Sequence, residues 1–185
     1  ARQQAAQYGS RYVDYDYTPG LYNLFNSEYN LDLNDYMNGV GMNESGGKDI
    51  GVHDPTGKNS ASGRYGMTKK TFNDLKDQRP DLIPSSYEHA DIPTNSRIGK
   101  VATKVLALQN ARLLTSNKIK VTNMNLYLAH HFNVPFVKSI VQYEEDLNLT
   151  FPEFVRKHNR IQAESWIGAN PSYVNKTMSE LITQW

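Results

Sequence analysis

The stripe Ile98, Val101, Val105, Leu108 and Leu113 constrains this chain more than any other feature of its sequence. Side chains at these spacings share one face of an α-helix. An apolar face of that length is stable in water only when other elements cover it, so the chain must supply further amphipathic helices. It supplies several. Leu21, Leu24 and Phe25 recur at spacings of three and four on a helix entered through Pro19, a residue suited to a first helical turn. Asn34 is placed to cap a segment lined by Tyr36, Met37 and Val40, which runs out near Gly41 and delivers Glu44 at or just past its end. Thr68 is placed to cap a helix with Phe72 and Leu75, Ser96 the long striped helix, and Thr122 one with Leu126, Tyr127 and His130. Pro135 and Pro152 suit first turns, and Thr177 with Glu180 makes a capping-box pattern. The expected class is mainly α.

Two stretches fall outside this pattern. Tyr8, Tyr12, Tyr15 and Tyr17 lie in a polar run with Asp and Gly interruptions, which reads as an extended arm over residues 1–18 packing on the body. Residues 45–66 are rich in Gly, Ser, Asp, Asn and Thr, and predict a long loop or a small irregular hairpin. A loop of about 20 residues inside a compact domain is usually functional. Residues 19–185 are expected to form one domain, since 185 residues suffice for one sizeable core and no composition break marks a second.

Composition excludes several function classes. Twenty basic against nineteen acidic side chains leave a formal charge of +1, too balanced for clustered phosphate neutralisation, so no nucleic-acid partner is expected. The chain has no cysteine, hence no disulfide and no thiolate chemistry. No apolar run approaches the roughly 18 residues that span a bilayer, and no membrane association is expected. His130 and His131 point about 100° apart on a helix and have no third ligand at useful spacing, so neither a metal nor another cofactor is expected. Without a heptad seam or an exposed apolar stripe, the expected state is a monomer.

The informative residues are Glu44-Ser45-Gly46-Gly47, then Ser60-Ala61-Ser62-Gly63-Arg64-Tyr65-Gly66, then Leu126-Tyr127-Leu128-Ala129-His130 and Ala169-Asn170-Pro171-Ser172. Together and in this order they resemble the soluble lytic transglycosylases of the lysozyme-like superfamily. The similarity is to catalytic domains of phage members such as giant-phage endolysins and tail-associated transglycosylases, and it covers roughly residues 19–185. It implies a goose-type, lysozyme-like helical domain with the irregular loop or hairpin beside an active-site groove. It also implies cleavage of the β-1,4 bond between N-acetylmuramic acid and N-acetylglucosamine in bacterial peptidoglycan. The setting would be a phage virion or an infected host, alone or within a larger phage protein or virion assembly, acting on the periplasmic wall.

Breaking a glycosidic bond requires protonation of a poor leaving oxygen while the sugar gains oxocarbenium character. An acid holding its proton near neutral pH needs apolar walls, for which Met42, Met67 and Tyr127 are candidates. By resemblance, Glu44 is acid and then base, closing the C6 hydroxyl on C1 to a 1,6-anhydro product. Ser45 would bond nearby, Ser60, Ser62 and Gly63 would admit the glycan closely, and Tyr127 and His130 would line the opposite wall. Where the family's turn ends in a sugar-contacting glutamine, this chain has Gly66, so that contact is lost or falls to Arg64, Tyr65 or Gln109. The 45–59 loop is longer than in the phage relatives and contains Asp49, His53 and Asp54. Asp49 and Asp54 are either turn residues or a second carboxylate placing water, which would make a hydrolytic, inverting muramidase. A third reading is a non-catalytic peptidoglycan-binding virion module, motivated by Gly66.

Overall fold

A computed structural model describes residues 25–54, 56 and 60–185. The arm expected over residues 1–18 and the helix start at Pro19 lie outside them. The chain is mainly helical, and among the described residues β-structure is limited to isolated bridges, so the described residues of 46–66 form an irregular, bridge-pinned segment without a strand. No helix among the described residues is long and apolar enough to cross a membrane. The chain divides into two compact units, residues 1–109 and 110–185.

In the first unit, residues 25–29 are helical and Asn30 adopts a left-handed conformation at their end. Helix α1 follows over Leu33–Ser45. Its cap is Asp32, not Asn34: the Asp32 carboxylate accepts the backbone N–H groups of Asn34 and Asp35, at 2.8 and 3.2 Å. The two residues are equally good cap types, and Asp32 stands immediately before the first helical turn. Helix α2 (Lys69–Gln78) is capped by Thr68 as its sequence predicts. The striped helix α3 spans Ser96–Ser116, its first fourteen residues in this unit, and its cap is displaced too, by one residue from Ser96: Asn95 Oδ1 accepts from Arg97 N at 3.1 Å.

Ile98, Val101, Val105 and Leu108 of α3 are buried with Met67, Phe72, Leu75, Ile83, Tyr87 and Ile92. That cluster is the core of the first unit, and the loop between α2 and α3 supplies three of its members. Gly63 touches this core from the other side. Its φ is +77°, and a Cβ placed on it would come within 2.5 Å of Ile92 Cγ2. Gly63→Ala is therefore expected to destabilise the unit by about 2–4 kcal/mol, from a left-handed backbone with a Cβ and from overpacking together. Thermal or urea unfolding of the variant checks this.

The second unit contains α4 (Asn123–His131), α5 (Val134–Gln142), α6 (Phe151–His158), α7 (Ala163–Ala169) and α8 (Met178–Gln184). Thr122 caps α4, Asn133 caps α5, and complete capping boxes begin α6 (Thr150, Glu153) and α8 (Thr177, Glu180). The two boxes lie side by side, joined by an antiparallel bridge between Thr150 and Thr177. Phe136 anchors the core: its ring centroid is 4.3 Å from Phe132, 5.5 Å from Trp166 and 6.3 Å from Phe151. Phe136→Ala is expected to cost about 3–5 kcal/mol, which chemical denaturation of the whole chain would read.

Asp146 binds Lys157 Nζ at 2.8 Å and His158 Nε2 at 2.7 Å, and these hydrogen bonds hold its carboxyl below the usual carboxylate range. Glu153, bonded to Thr150, and Glu164, bonded to Arg156, are held down likewise. A carboxyl with a depressed folded pKa stabilises above its unfolded pKa, and that contribution disappears as pH falls through the folded value. Stability is thus expected to fall below about pH 4, and Asp146→Asn is expected to flatten that acid limb in a pH series of melting curves.

Candidate active site

The candidate site is built on the last turn of α1. Asn34, Met37 or Asn38, Gly41 and Glu44 succeed one another at three or four residues, so they share one helix face. Glu44 is half-buried at the end of that face. The helix stops immediately after it, because Gly46 and Gly47 take positive φ of 65° and 77° and turn their N–H groups back onto the Met42 and Gly41 carbonyls. Ser45 completes this ending. Its Oγ donates to the Gly41 carbonyl at 3.0 Å and accepts from Lys48 N at 3.1 Å. The Glu-Ser-Gly-Gly sequence is thus a helix stop that leaves the glutamate at the end.

The segment after the stop is folded onto a second turn. Val52 bridges Ser62, and Ser62 bridges Met67, both antiparallel. His53 N donates to the Ala61 carbonyl at 2.9 Å, and Gly63 N donates to the Gly51 carbonyl at 3.1 Å. Ser62 and Met67 exchange both backbone hydrogen bonds, closing the turn Gly63-Arg64-Tyr65-Gly66. Two glycines set its shape, Gly63 as above and Gly66 at φ +61°.

That turn meets α1 at two points. At Gly41, a Cβ would lie 3.2 Å from Arg64 Cγ and 3.5 Å from Tyr65 Cε1, so the small residue admits the turn closely. At Gly66, a Cβ would lie 2.7 Å from Glu44 Oε2. The carboxylate therefore rests on the bare backbone of Gly66, in the space that any other residue's Cβ would fill. His53 is on the same spot: its Cε1 is 3.4 Å from that position. Its Nε2 bonds the Gly63 carbonyl at 2.6 Å.

The remaining sequence candidates fall into different roles. Asp49 is held by Arg64 in a two-point pair, Nε to Oδ1 at 3.1 Å and Nη2 to Oδ2 at 3.0 Å. Asp54 accepts from Thr56 N and Oγ1 at 2.8 and 2.6 Å, the local pattern of a turn aspartate. Ser60 Oγ accepts Lys69 N at 2.9 Å and so serves the start of α2. Ser62 is buried within the bridges, and its Oγ has no hydrogen-bond partner among the described residues. Tyr65 is buried where the turn packs on α1 and α3. Gln109 Nε2 donates to Gln78 Oε1 at 3.1 Å, joining α3 to α2. Met67 is buried in the core, whereas Met42 is 63% exposed and is not an apolar wall for Glu44; α1 turns it to the side that the core does not cover.

A cleft of about 390 Å³ runs beside this face of α1, lined by Asn34, Met37, Asn38, Asp49, Arg64 and Lys100 among others. Its walls are mostly hydrogen-bonding side chains, and Glu44 is not one of its lining residues. Glu44 follows Gly41 by three residues on the same helix face.

Tyr127 and His130 belong to the second unit, on α4, and both are half-buried there. Tyr127 stacks on His131, centroids 5.8 Å apart, and His131 Nε2 meets Asn170 Oδ1 at 3.0 Å. The Leu126–His130 and Ala169–Ser172 motifs are therefore joined within that unit through the residue next to the first motif. Sequence reasoning gave roles to Tyr127 and His130 and none to His131, and it gave none to His53. Among the described residues no group of three or more His, Asp or Glu side chains could hold a metal ion. No protein-family model, no curated protein and no solved structure matches the chain.

Proposed function

We propose that this chain cleaves the glycan strands of bacterial peptidoglycan, as a lysozyme-like lytic transglycosylase with Glu44 as its single acid and base. The observation that carries the reading is the Glu44 carboxylate, presented at the end of α1 and laid on the bare backbone of Gly66. A glutamate whose only function is solvation needs no such cradle.

In the proposed reaction, protonated Glu44 donates to the oxygen linking N-acetylmuramic acid C1 to N-acetylglucosamine C4. The C1–O bond breaks, the glucosamine leaves with a free 4-hydroxyl, and C1 gains oxocarbenium character. The muramic C6 hydroxyl oxygen then bonds to C1, and its proton returns to the Glu44 carboxylate. The product is a 1,6-anhydro end, no water is consumed, and the acid is regenerated. One carboxyl suffices. The commitment of Asp49 to Arg64 and of Asp54 to Thr56 supports this single-carboxylate route over hydrolysis.

The motifs' similarity to phage transglycosylases supports a phage setting, in host lysis or in local wall opening at entry. The test is incubation of the protein with purified Gram-negative sacculi. Release of soluble muropeptides is expected. Firm binding to sacculi without release would overturn the reading in favour of a non-catalytic wall-binding module.

A further inference from the structure

We propose that His53 is a positioning residue for Glu44, holding the turn on which the carboxylate rests and supplying the second ionisable group of the site. This rests on the reading of Glu44 as the acid. One Cβ-sized space above Gly66 is bounded by Glu44 Oε2 on one side, at 2.7 Å, and by His53 Cε1 on another, at 3.4 Å. Carboxylate and imidazole therefore flank a single glycine.

The ring's orientation is fixed. A carbonyl can only accept, so the 2.6 Å contact to Gly63 O places a proton on His53 Nε2. The remaining nitrogen, Nδ1, is then the one that gains or loses a proton. The backbone leading into His53 is also tied to residues 61–63 by the two hydrogen bonds of the Val52–Ser62 bridge, His53 N–H to Ala61 O and Gly63 N–H to Gly51 O. Residues 51–53 thus deliver one imidazole ring to the glutamate and hold it through the bridge and through Nε2.

Two consequences follow. Removing the ring takes away the side-chain hydrogen bond to the Gly63 carbonyl and loosens the floor under Glu44. Protonating the ring places a cation beside the carboxylate, favouring its ionised form and making Glu44 a poorer proton holder. Among the described residues, charged groups on the surrounding elements include Lys48 after α1, the mutually paired Asp49 and Arg64, Asp54 on its Thr56 turn, and His89, whose Nε2 bonds Met67 O at 2.8 Å.

Glutamine separates the two roles, because its amide N–H can replace Nε2–H toward Gly63 O while it cannot ionise. Turnover on sacculi is measured from pH 4.5 to 8.5 for the wild type, Glu44→Gln, His53→Ala and His53→Gln. His53→Ala is expected to lower kcat about 10-fold or more with little change in KM. His53→Gln is expected to recover most of the rate while moving one limb of the pH profile, since the amide cannot ionise. Wild-type rate and profile in both His53 variants would overturn the proposal. Equal losses in both, with an unshifted profile and a lowered Tm, would also overturn it and leave a purely structural histidine. Full activity of Glu44→Gln would instead remove the reading of Glu44 on which the proposal rests, whatever the His53 variants do.

Discussion

Glu44→Gln is expected to lower the release of soluble muropeptides from purified sacculi by about 10²–10⁴-fold, the usual contribution of a positioned general acid. The amide preserves the size and shape of the side chain over Gly66 but has no proton of suitable acidity to give the leaving oxygen. Nor can it take the C6 hydroxyl proton afterwards. Both halves of the proposed reaction fail together, so the loss should appear in kcat while binding to sacculi is retained. Glu44 is half-buried at a helix end, and the change should alter stability by no more than about 1 kcal/mol. Circular dichroism and a melting curve of the variant, beside its activity, distinguish lost chemistry from lost fold.

Gly66 gives the second large effect, in a direction opposite to what the sequence comparison suggests. The resembling family carries glutamine at this point of the turn, which makes Gly66 look like a lost substrate contact. In this chain Gly66 has φ +61°, and Glu44 Oε2 occupies the space next to its Cα. Any side chain there must displace the carboxylate, or the turn, or both. A misplacement of about 1 Å at a reacting group can cost about 10²-fold in rate, and an L-residue in the left-handed region costs roughly 1–2 kcal/mol. Gly66→Ala is therefore expected to lose about 10–100-fold in activity. Gly66→Gln is expected to lose at least as much although it restores the family's residue, because it brings the same Cβ. Wild-type or improved turnover in Gly66→Gln, measured on sacculi, would show that the carboxylate does not need this glycine.

The helices were legible because their signals are local. The Ile98 to Leu108 stripe marks its own buried face, and Thr68, Thr122 and Thr177 each sit directly before a helical turn whose N–H groups they accept. Where two cap-competent residues stand close together, residue type alone does not choose. Asp32 serves α1 in place of Asn34, and Asn95 lies behind α3 in place of Ser96, because the cap is decided by which oxygen reaches the first free N–H groups.

Glu44 was legible as a candidate for a related reason: the apolar run of α1 ends at a Gly-Gly stop just after it. The meaning of Gly66 was not. It depends on a contact between residues 22 positions apart in sequence, set by a turn pinned through isolated bridges rather than by strands with a readable alternation. The same holds for His53, one histidine in a polar loop until the Val52–Ser62 bridge carries it to Gly63 and Gly66. Asp49 and Asp54 were ambiguous for want of partners; Arg64 and Thr56 supply them.

The central claim, that this chain breaks glycan strands by single-carboxyl chemistry at Glu44, is tested most directly by mass spectrometry. The sample is the soluble material released from purified Gram-negative sacculi, with Glu44→Gln run in parallel. The account predicts muropeptides lighter by one water than hydrolysed ones, carrying 1,6-anhydromuramic ends, and absent with the variant. Reducing-end products, products undiminished in the variant, or no released muropeptides at all would contradict it.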